Sequence, residues 1–170
     1  AEGEEGAVEE LRGVIARIEK VLGIPYGNFE QFQVLRYEPG QYYRTHHDFG
    51  ASQRKLACGP RILTFFLYLS DVEEGGETYF PLAKKADGGR DPIPEKCAGM
   101  EGKDASKQGA EALDKYYDGS EFFSPSPEEL AELGVTVTPK KGRAVLWWNK
   151  AKNGDVDWRS RHVGCPLVKG

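Results

Sequence analysis

The sequence lacks a long hydrophobic run, since no stretch approaches the roughly 18 consecutive apolar residues that a membrane span needs. It also lacks an initial charged-then-apolar segment typical of a secretory signal. Basic residues are not in excess: 23 lysines and arginines stand against 27 aspartates and glutamates, for a formal net charge of −4. Nucleic acids and anionic membranes both favour a basic face, so neither is expected as a partner.

Cysteine and histidine are also scarce. The three cysteines, Cys58, Cys97 and Cys165, fit either one disulfide with a free thiol or three free thiols. This count leaves the compartment open between the secretory pathway, including the endoplasmic reticulum, and the cytoplasm. The chain begins at Ala1 rather than methionine, which indicates a processed or trimmed product. Its 170 residues suffice for a single domain, which we expect to span 1–170. Oligomeric state is left open.

The pattern of apolar residues predicts one helix followed by many short strands. Apolar residues at helical spacing in 8–22, with Gly23 just beyond, predict an amphipathic helix that packs on a sheet. Runs of β-branched and aromatic residues bounded by Gly and Pro predict strands; these are 29–37, 41–49, 61–70, 78–81, 135–138 and 143–148. The run 61–70 has apolar residues at both odd and even positions, which predicts a strand buried on two faces. A mainly β (α+β) fold follows, a sandwich or jelly roll with helical support.

The segment 82–133 differs in composition from the rest of the chain. It is rich in Lys, Asp, Gly, Ser, Pro and Glu, which predicts a long insertion or surface excursion. Near its end, Ser126-Pro-Glu-Glu129 has the features of a capping box, and Gly134 supplies a stop. A helix of about two turns is expected there.

Because the chain has only three histidines, few residues are candidates for a metal site. His46 and Asp48 are two residues apart in a predicted strand, so an imidazole and a carboxylate project from the same face. The third ligand would be a second histidine. His47 is next to His46 and would point to the opposite face of the strand, so His162 is the sole candidate among the three histidines. Two histidines and one carboxylate leave positions open for a co-substrate and dioxygen, which suits a non-haem Fe(II) oxygenase. The same ligands suit a hydrolytic zinc enzyme, for which we find no general base apart from the ligands.

Five ordered stretches together resemble the prolyl 4-hydroxylase family of Fe(II)- and 2-oxoglutarate-dependent dioxygenases. The resemblance covers most of 24–170 apart from 82–133. The stretches are Tyr37-Glu-Pro-Gly-Gln-x-Tyr43, His46-x-Asp48, Arg61-Ile-Leu-Thr-x-x-x-Tyr68-Leu-Ser-Asp-Val-Glu-Glu-Gly-Gly-Glu-Thr78-x-Phe-Pro81, Pro139-x-x-Gly142-Arg-Ala-Val-Leu-Trp-Trp and His162-x-Gly-Cys-Pro.

The resemblance implies a fold and a set of ligands. The family fold is a double-stranded β-helix, the jelly roll, which here would carry a supporting N-terminal helix and the long insertion. By resemblance, the iron ligands are His46, Asp48 and His162. Tyr37 and Thr78 match positions that hydrogen-bond the far carboxylate of 2-oxoglutarate.

The resemblance also implies a peptide groove and a disulfide. Tyr43 and Arg61 match positions that line the groove for the peptide substrate. The family's usual disulfide would here join Cys97 to Cys165. In this family a lysine that binds the far carboxylate lies ten residues after the distal histidine. Counted from His162, that position lies beyond Gly170.

The function implied is hydroxylation of peptidyl proline at C4, with release of succinate and CO2. The cofactors implied are Fe(II) and 2-oxoglutarate, with ascorbate as a reductant, and the partner is a proline-containing peptide or protein. Two alternatives stay open. One is a 2-oxoglutarate oxygenase that acts on another amino-acid side chain or a small molecule; the other is a non-catalytic peptide-binding relative without the co-substrate lysine.

Overall fold

A computed structural model describes residues 2–49, 59–98 and 132–170. The described part contains one α-helix, three short 3₁₀ helices and eight β-strands. The helix is α1 (Glu2–Leu22), and the strands are β1 (Tyr43–His46), β2 (Leu63–Leu67), β3 (Glu74–Gly75), β4 (Thr78–Phe80), β5 (Val135–Val137), β6 (Ala144–Trp148), β7 (His162–Gly164) and β8 (Leu167–Lys169). The 3₁₀ helices are Tyr26–Asn28, Glu95–Cys97 and Trp158–Ser160.

The chain divides into two compact units, Ala1–Arg36 and Tyr37–Gly170. The first contains α1, which begins six residues earlier than the 8–22 predicted and ends at Leu22 as expected. Gly23 then takes a left-handed φ of 66° and donates its N–H to the Glu19 carbonyl at 2.8 Å, a common way to end a helix. No helix in the described ranges is both long and apolar enough to cross a membrane. The single-domain organisation and the packing of α1 on a sheet stay predictions.

The second unit contains antiparallel sheets only. One sheet has four strands in the order β1-β7-β4-β5, and two further pairs are β2-β6 and β3-β8. A turn follows β5, in which the Arg143 N–H donates to the Lys140 carbonyl at 2.9 Å. It leads from the four-stranded sheet into the β2-β6 pair, so β5 and β6 lie in different sheets. The prediction of a strand-rich fold with one helix is thereby confirmed at this coarser level.

The predicted strand 29–37 is wrong. The structure describes all of these residues and assigns none of them to a strand. Their aromatic rings pack locally instead: Tyr26 lies edge-on to Phe29 at 5.6 Å and stacks with Phe32 at 6.5 Å. Aromatic and β-branched residues favour a strand only when a neighbouring strand gives them a surface to pack on.

Two other predicted strands are shorter than expected. The strand predicted over 41–49 is limited to β1, so Asp48 lies in a bend beyond its end. The strand predicted over 61–70 is limited to β2, whose residues are half-buried rather than buried on both faces. Among the described residues β2 pairs with β6 alone, and the outer face of this pair contains the exposed side chains of Leu146 and Trp148.

The excursion 82–133 is described only at 82–98 and 132–133, and the helix predicted from Ser126 lies outside these residues. Its two ends meet, since the Gly134 N–H donates to the Ala83 carbonyl at 2.8 Å. A disulfide joins Cys97 to Cys165, with Cα atoms 5.2 Å apart. Both cysteines are buried against Tyr79 and Val163. The start of the excursion is therefore covalently fixed to the residue that follows β7.

Candidate metal centre

The structure brings together the three side chains that the sequence indicates as metal ligands. His46 ends β1 and His162 begins β7, and the antiparallel register places these residues opposite each other. Their ring centroids lie 4.2 Å apart. With Asp48 they offer ligand atoms that all lie within 4.8 Å of one another. This spacing is compatible with one metal ion held by three side chains on one side.

Backbone carbonyl groups set the orientation of both imidazole rings. His46 Nδ1 lies 2.8 Å from the Arg44 carbonyl oxygen, and His162 Nδ1 lies 2.8 Å from the Ser160 carbonyl oxygen. A carbonyl oxygen can only accept, so each Nδ1 carries the hydrogen and donates it. Each Nε2 then presents a bare lone pair, which is the form that binds a metal.

The two Nε2 atoms converge on one oxygen of Asp48. Asp48 Oδ1 lies 3.3 Å from His46 Nε2 and 3.8 Å from His162 Nε2. Two lone pairs and an anionic oxygen in so small a space repel one another unless a cation lies among them. The donors present therefore fit a divalent metal such as Fe(II), which accepts nitrogen and carboxylate oxygen together.

The protonation states of the buried groups agree with metal binding. Burial by itself would raise the pKa of Asp48, but the neighbouring His46 and His162 side chains and the hydrogen bond from Thr64 outweigh it, and the pKa is lowered to about 2. Burial lowers the pKa of His162, and the charge of His46 lowers it further. At neutral pH Asp48 is ionised and His162 is neutral, as ligation requires.

His47 lies outside this group of ligand atoms. Its ring packs edge-on against Trp158, with centroids 5.0 Å apart. Burial, followed by the charge of Arg161, lowers the pKa of His47 to about 3, so the ring is neutral. Neither ring nitrogen has a hydrogen-bond partner in the part of the chain that the structure describes.

Aromatic rings enclose His162, and the sequence did not single them out for this role. The Phe80 ring lies 5.4 Å from the His162 ring, and the Trp147 ring lies 4.8 Å from it on β6. Phe80 and Trp147 also contact each other edge-on at 5.2 Å. These rings limit the rotation of His162 and keep the surroundings of this ligand apolar. The resemblance covers both positions, but only the three-dimensional contacts reveal their role.

The predicted co-substrate residue Thr78 has a partner that the sequence reasoning missed. The Tyr68 hydroxyl lies 2.6 Å from Thr78 Oγ1 in a buried contact, and either group can be the donor. Tyr68 directly follows β2. It lies in the same family-like stretch as Thr78, and this shared stretch was the only sequence signal for its role. Burial and the nearby Tyr43 raise the pKa of Tyr37, so its hydroxyl stays neutral.

The two predicted groove residues lie at different depths. The Tyr43 side chain is 45% exposed, and its ring lies 4.2 Å from that of His46. Arg61 is half-buried just before β2. Tyr43 is therefore in contact with a metal-ligand candidate, whereas the groove role of Arg61 stays a prediction.

Comparison with known proteins decides the family. Residues 32–170 match the family model of the 2OG-Fe(II) oxygenase superfamily. The chain belongs to this superfamily. Membership implies Fe(II) and 2-oxoglutarate as cofactors, and the His46, Asp48 and His162 group fits the iron.

Curated relatives from Arabidopsis thaliana agree with the resemblance read from the motifs, which is confirmed. Prolyl 4-hydroxylase 1 is 36% identical over 168 residues, covering 96% of this chain and 46% of the relative. Probable prolyl 4-hydroxylase 8 is 36% identical over 172 residues, covering 99% and 47%. Prolyl 4-hydroxylase 13 is 32% identical over 167 residues, covering 95% and 48%. The chain spans about half the length of the curated relatives it matches.

Proposed function

We propose that this superfamily member is the catalytic part of a dioxygenase that hydroxylates peptidyl proline at C4 and releases succinate and CO2. The observation that carries the proposal is the convergence of two imidazole Nε2 atoms on one Asp48 oxygen, with both Nδ1 atoms engaged by backbone carbonyls. The proline substrate is supported by the relatives, whose names describe prolyl 4-hydroxylases.

His46, Asp48 and His162 would hold Fe(II) through two imidazole nitrogens and one carboxylate oxygen. The chemistry that Fe(II) and 2-oxoglutarate supply when bound is an oxidative decarboxylation that delivers one oxygen atom to a substrate C–H bond. The protein keeps the ligands in their metal-binding protonation states and excludes water. Phe80 and Trp147 contribute to this exclusion beside His162.

We place the far carboxylate of 2-oxoglutarate at Tyr37 and Thr78. Support comes from the buried Tyr68–Thr78 hydroxyl pair, which can turn a donor toward an anion. A neutral Tyr37 is likewise able to donate. Ascorbate is expected as the reductant that restores oxidised iron.

We place the proline-containing peptide over Tyr43, with Arg61 as a second groove residue. Support comes from the exposed Tyr43 ring, which contacts the His46 ring. Aromatic surfaces are common binding sites for proline-rich segments because these segments are extended and already ordered. A peptide that rests on Tyr43 would have a prolyl ring close to the metal.

We further propose that the strands form a double-stranded β-helix within one domain, with 82–133 as an insertion. Support comes from contacts that link the four-stranded sheet and the bend after β1 to the β2-β6 pair. Thr64 on β2 bonds Asp48 next to β1, and Trp147 on β6 packs against Phe80 on β4. These contacts support an arrangement in which the β2-β6 pair faces the four-stranded sheet, with the metal centre between them.

The experiment has two stages. Fe(II) and 2-oxoglutarate are added anaerobically, and the visible charge-transfer band of a chelated 2-oxo acid is measured. Air and a proline-rich peptide are then admitted, and succinate and the peptide mass are followed. We expect a band, then succinate and a gain of one oxygen by the peptide.

Two matched variants sharpen this test. His162→Ala should abolish the band, whereas His47→Ala should leave it nearly unchanged because His47 lies on Trp158. Equal losses would overturn the ligand assignment, and a wild-type protein without a band would overturn the oxygenase function. A band without peptide oxidation would instead indicate another side chain or a small molecule as substrate.

A further inference from the structure

Asp48 differs from the two histidines in how its side chain is oriented. His46 and His162 lie in paired strands, whereas Asp48 lies in a bend after β1 has ended. A carboxylate in a bend has two equivalent oxygens and can present either or both to a metal. In this structure only Oδ1 faces the histidines, at 3.3 Å and 3.8 Å from their Nε2 atoms.

The other oxygen, Asp48 Oδ2, is engaged by Thr64 on β2. Thr64 Oγ1 donates to it at 2.6 Å, a short bond typical of a hydroxyl and an ionised carboxylate. Asn149 Nδ2 donates in turn to Thr64 Oγ1 at 2.8 Å. A hydroxyl has a single hydrogen, so Thr64 accepts from Asn149 and its hydrogen is committed to Asp48.

Asn149 is well suited to hold Thr64 in place. It is fully buried, with 0% exposure. Its backbone N–H donates to the Ile62 carbonyl at 2.9 Å, and its carbonyl accepts from the Asp157 N–H at 2.9 Å. The side chain therefore projects from a backbone that is fixed on both sides.

The segment 149–162 that follows β6 supports two ligands at once. At its start Asn149 acts through Thr64 on Asp48. Near its end Asp157 accepts from the Arg159 N–H at 3.0 Å and caps the 3₁₀ helix Trp158–Ser160. The Ser160 carbonyl then orients the His162 ring.

We propose that Thr64, supported by Asn149, is a positioning residue that holds Asp48 Oδ2 away from the metal and presents Oδ1 alone. The proposal rests on the metal centre of the proposed function. Outer partners of this kind fix the direction of a ligand before the ion arrives, and their loss weakens metal binding.

The test measures the affinity of the full chain for Mn(II) alone, with neither co-substrate nor peptide. Thr64→Val removes the hydroxyl and keeps the branched shape, and we expect Mn(II) affinity to fall about 10- to 100-fold. Thr64→Ser keeps the hydroxyl and should restore most of the affinity. Thr136→Val is the matched control, because Thr136 Oγ1 has no hydrogen-bond partner among the described residues; its affinity should equal that of the wild type.

Asn149→Ala tests whether Asn149 acts through Thr64. Alone it should weaken Mn(II) binding less than Thr64→Val does. Combined with Thr64→Val it should cause no further loss of Mn(II) affinity, because the effects of substitutions at residues that act through one another are not additive. A further loss in the double variant would overturn the link between these two residues.

Circular dichroism of each metal-free variant establishes that it is folded before its affinity is compared. If Thr64→Val does not fold, Thr64→Ala supplies the same comparison with Thr64→Ser. A folded hydroxyl-free variant with wild-type Mn(II) affinity would overturn the positioning role while leaving the metal centre intact. A wild-type chain that fails to bind Mn(II) would instead overturn the metal centre itself.

Discussion

The charge states of single side chains in the metal centre follow from burial and from neighbouring carbonyl groups. The Arg44 and Ser160 carbonyls select one tautomer for each ligand histidine. Thr64 helps to keep Asp48 ionised. Neutral imidazole and ionised carboxylate are the forms that a divalent ion requires. The backbone and one hydroxyl therefore prepare the site before any ion is bound.

His47 gives a residue-scale prediction about acid. Its pKa is about 3 in the folded chain and about 6.5 in an unfolded one, so between these values only the unfolded chain takes up the proton. The free energy of unfolding therefore decreases as pH falls from about 6.5 towards 3, by at most about 1.4 kcal/mol per pH unit from this residue. His47→Phe should remove part of that decrease.

The measurement is urea unfolding of metal-free wild type and His47→Phe at pH 7 and at pH 5. This interval lies above the ordinary pKa of aspartate, so carboxylates contribute little to the difference. His162, whose pKa is also lowered, remains in both proteins and accounts for a shared decrease. An identical loss of stability in the two proteins would contradict a buried, neutral His47.

At this scale the sequence predicts which side chains come together as candidate metal ligands, but not the residues that support them. Three histidines, and an aspartate two residues after His46, leave few combinations, and the motif order selects among them. Thr64 and Asn149 are 85 residues apart in sequence, and no local pattern indicates that they meet. Tyr68 lies only 10 residues before Thr78. It was missed because the shared sequence motif does not show that their hydroxyl groups meet.

At the scale of elements, the β3-β8 pair depends on a close approach at Gly75. Gly75 has a φ of 83°, and a Cβ built there would lie 2.2 Å from the Pro166 carbonyl oxygen and 2.9 Å from the Val168 nitrogen. The neighbouring Gly76 has a φ of 70°, but its Cβ would meet nothing closer than 3.6 Å. Both positions carry the backbone cost of a left-handed residue, about 1–2 kcal/mol, whereas Gly75 alone adds a clash with backbone.

Gly75→Ala should therefore destabilise the fold more than Gly76→Ala. The free energies of unfolding of the two variants and the wild type, measured in urea, give the comparison. Gly76→Ala is the matched control because it changes the same residue type with a similar φ. Equal losses would mean that β8 does not approach β3 as closely as the structure indicates.

Element boundaries show what sequence patterns leave out. The strands at 78–81, 135–138 and 143–148 were predicted within one or two residues, because Gly and Pro mark their ends. The strand 29–37 failed because its pattern matches a strand whereas its rings pack on Tyr26. The strand predicted over 41–49 was too long because the strand-like sequence pattern continues beyond His46, where backbone pairing with β7 stops.

At the scale of the molecule, the metal centre depends on contacts between sheets that are distant in sequence. β1 and β7 supply the histidines, β2 and β6 supply Thr64 and Trp147, and the Cys97–Cys165 disulfide fixes the segment after β7. The strand-rich class was predictable from composition and turn residues. The pairing of β1 with β7 was not, since more than a hundred residues separate them.

The proposed function is tested most directly by the product analysis of a proline-rich peptide after aerobic incubation with the chain, Fe(II) and 2-oxoglutarate. We expect one oxygen atom added at C4 of a prolyl residue, with one succinate formed for each hydroxylated residue, and neither product from His162→Ala. Succinate formed without hydroxyproline, or hydroxyproline formed equally by His162→Ala, would contradict it.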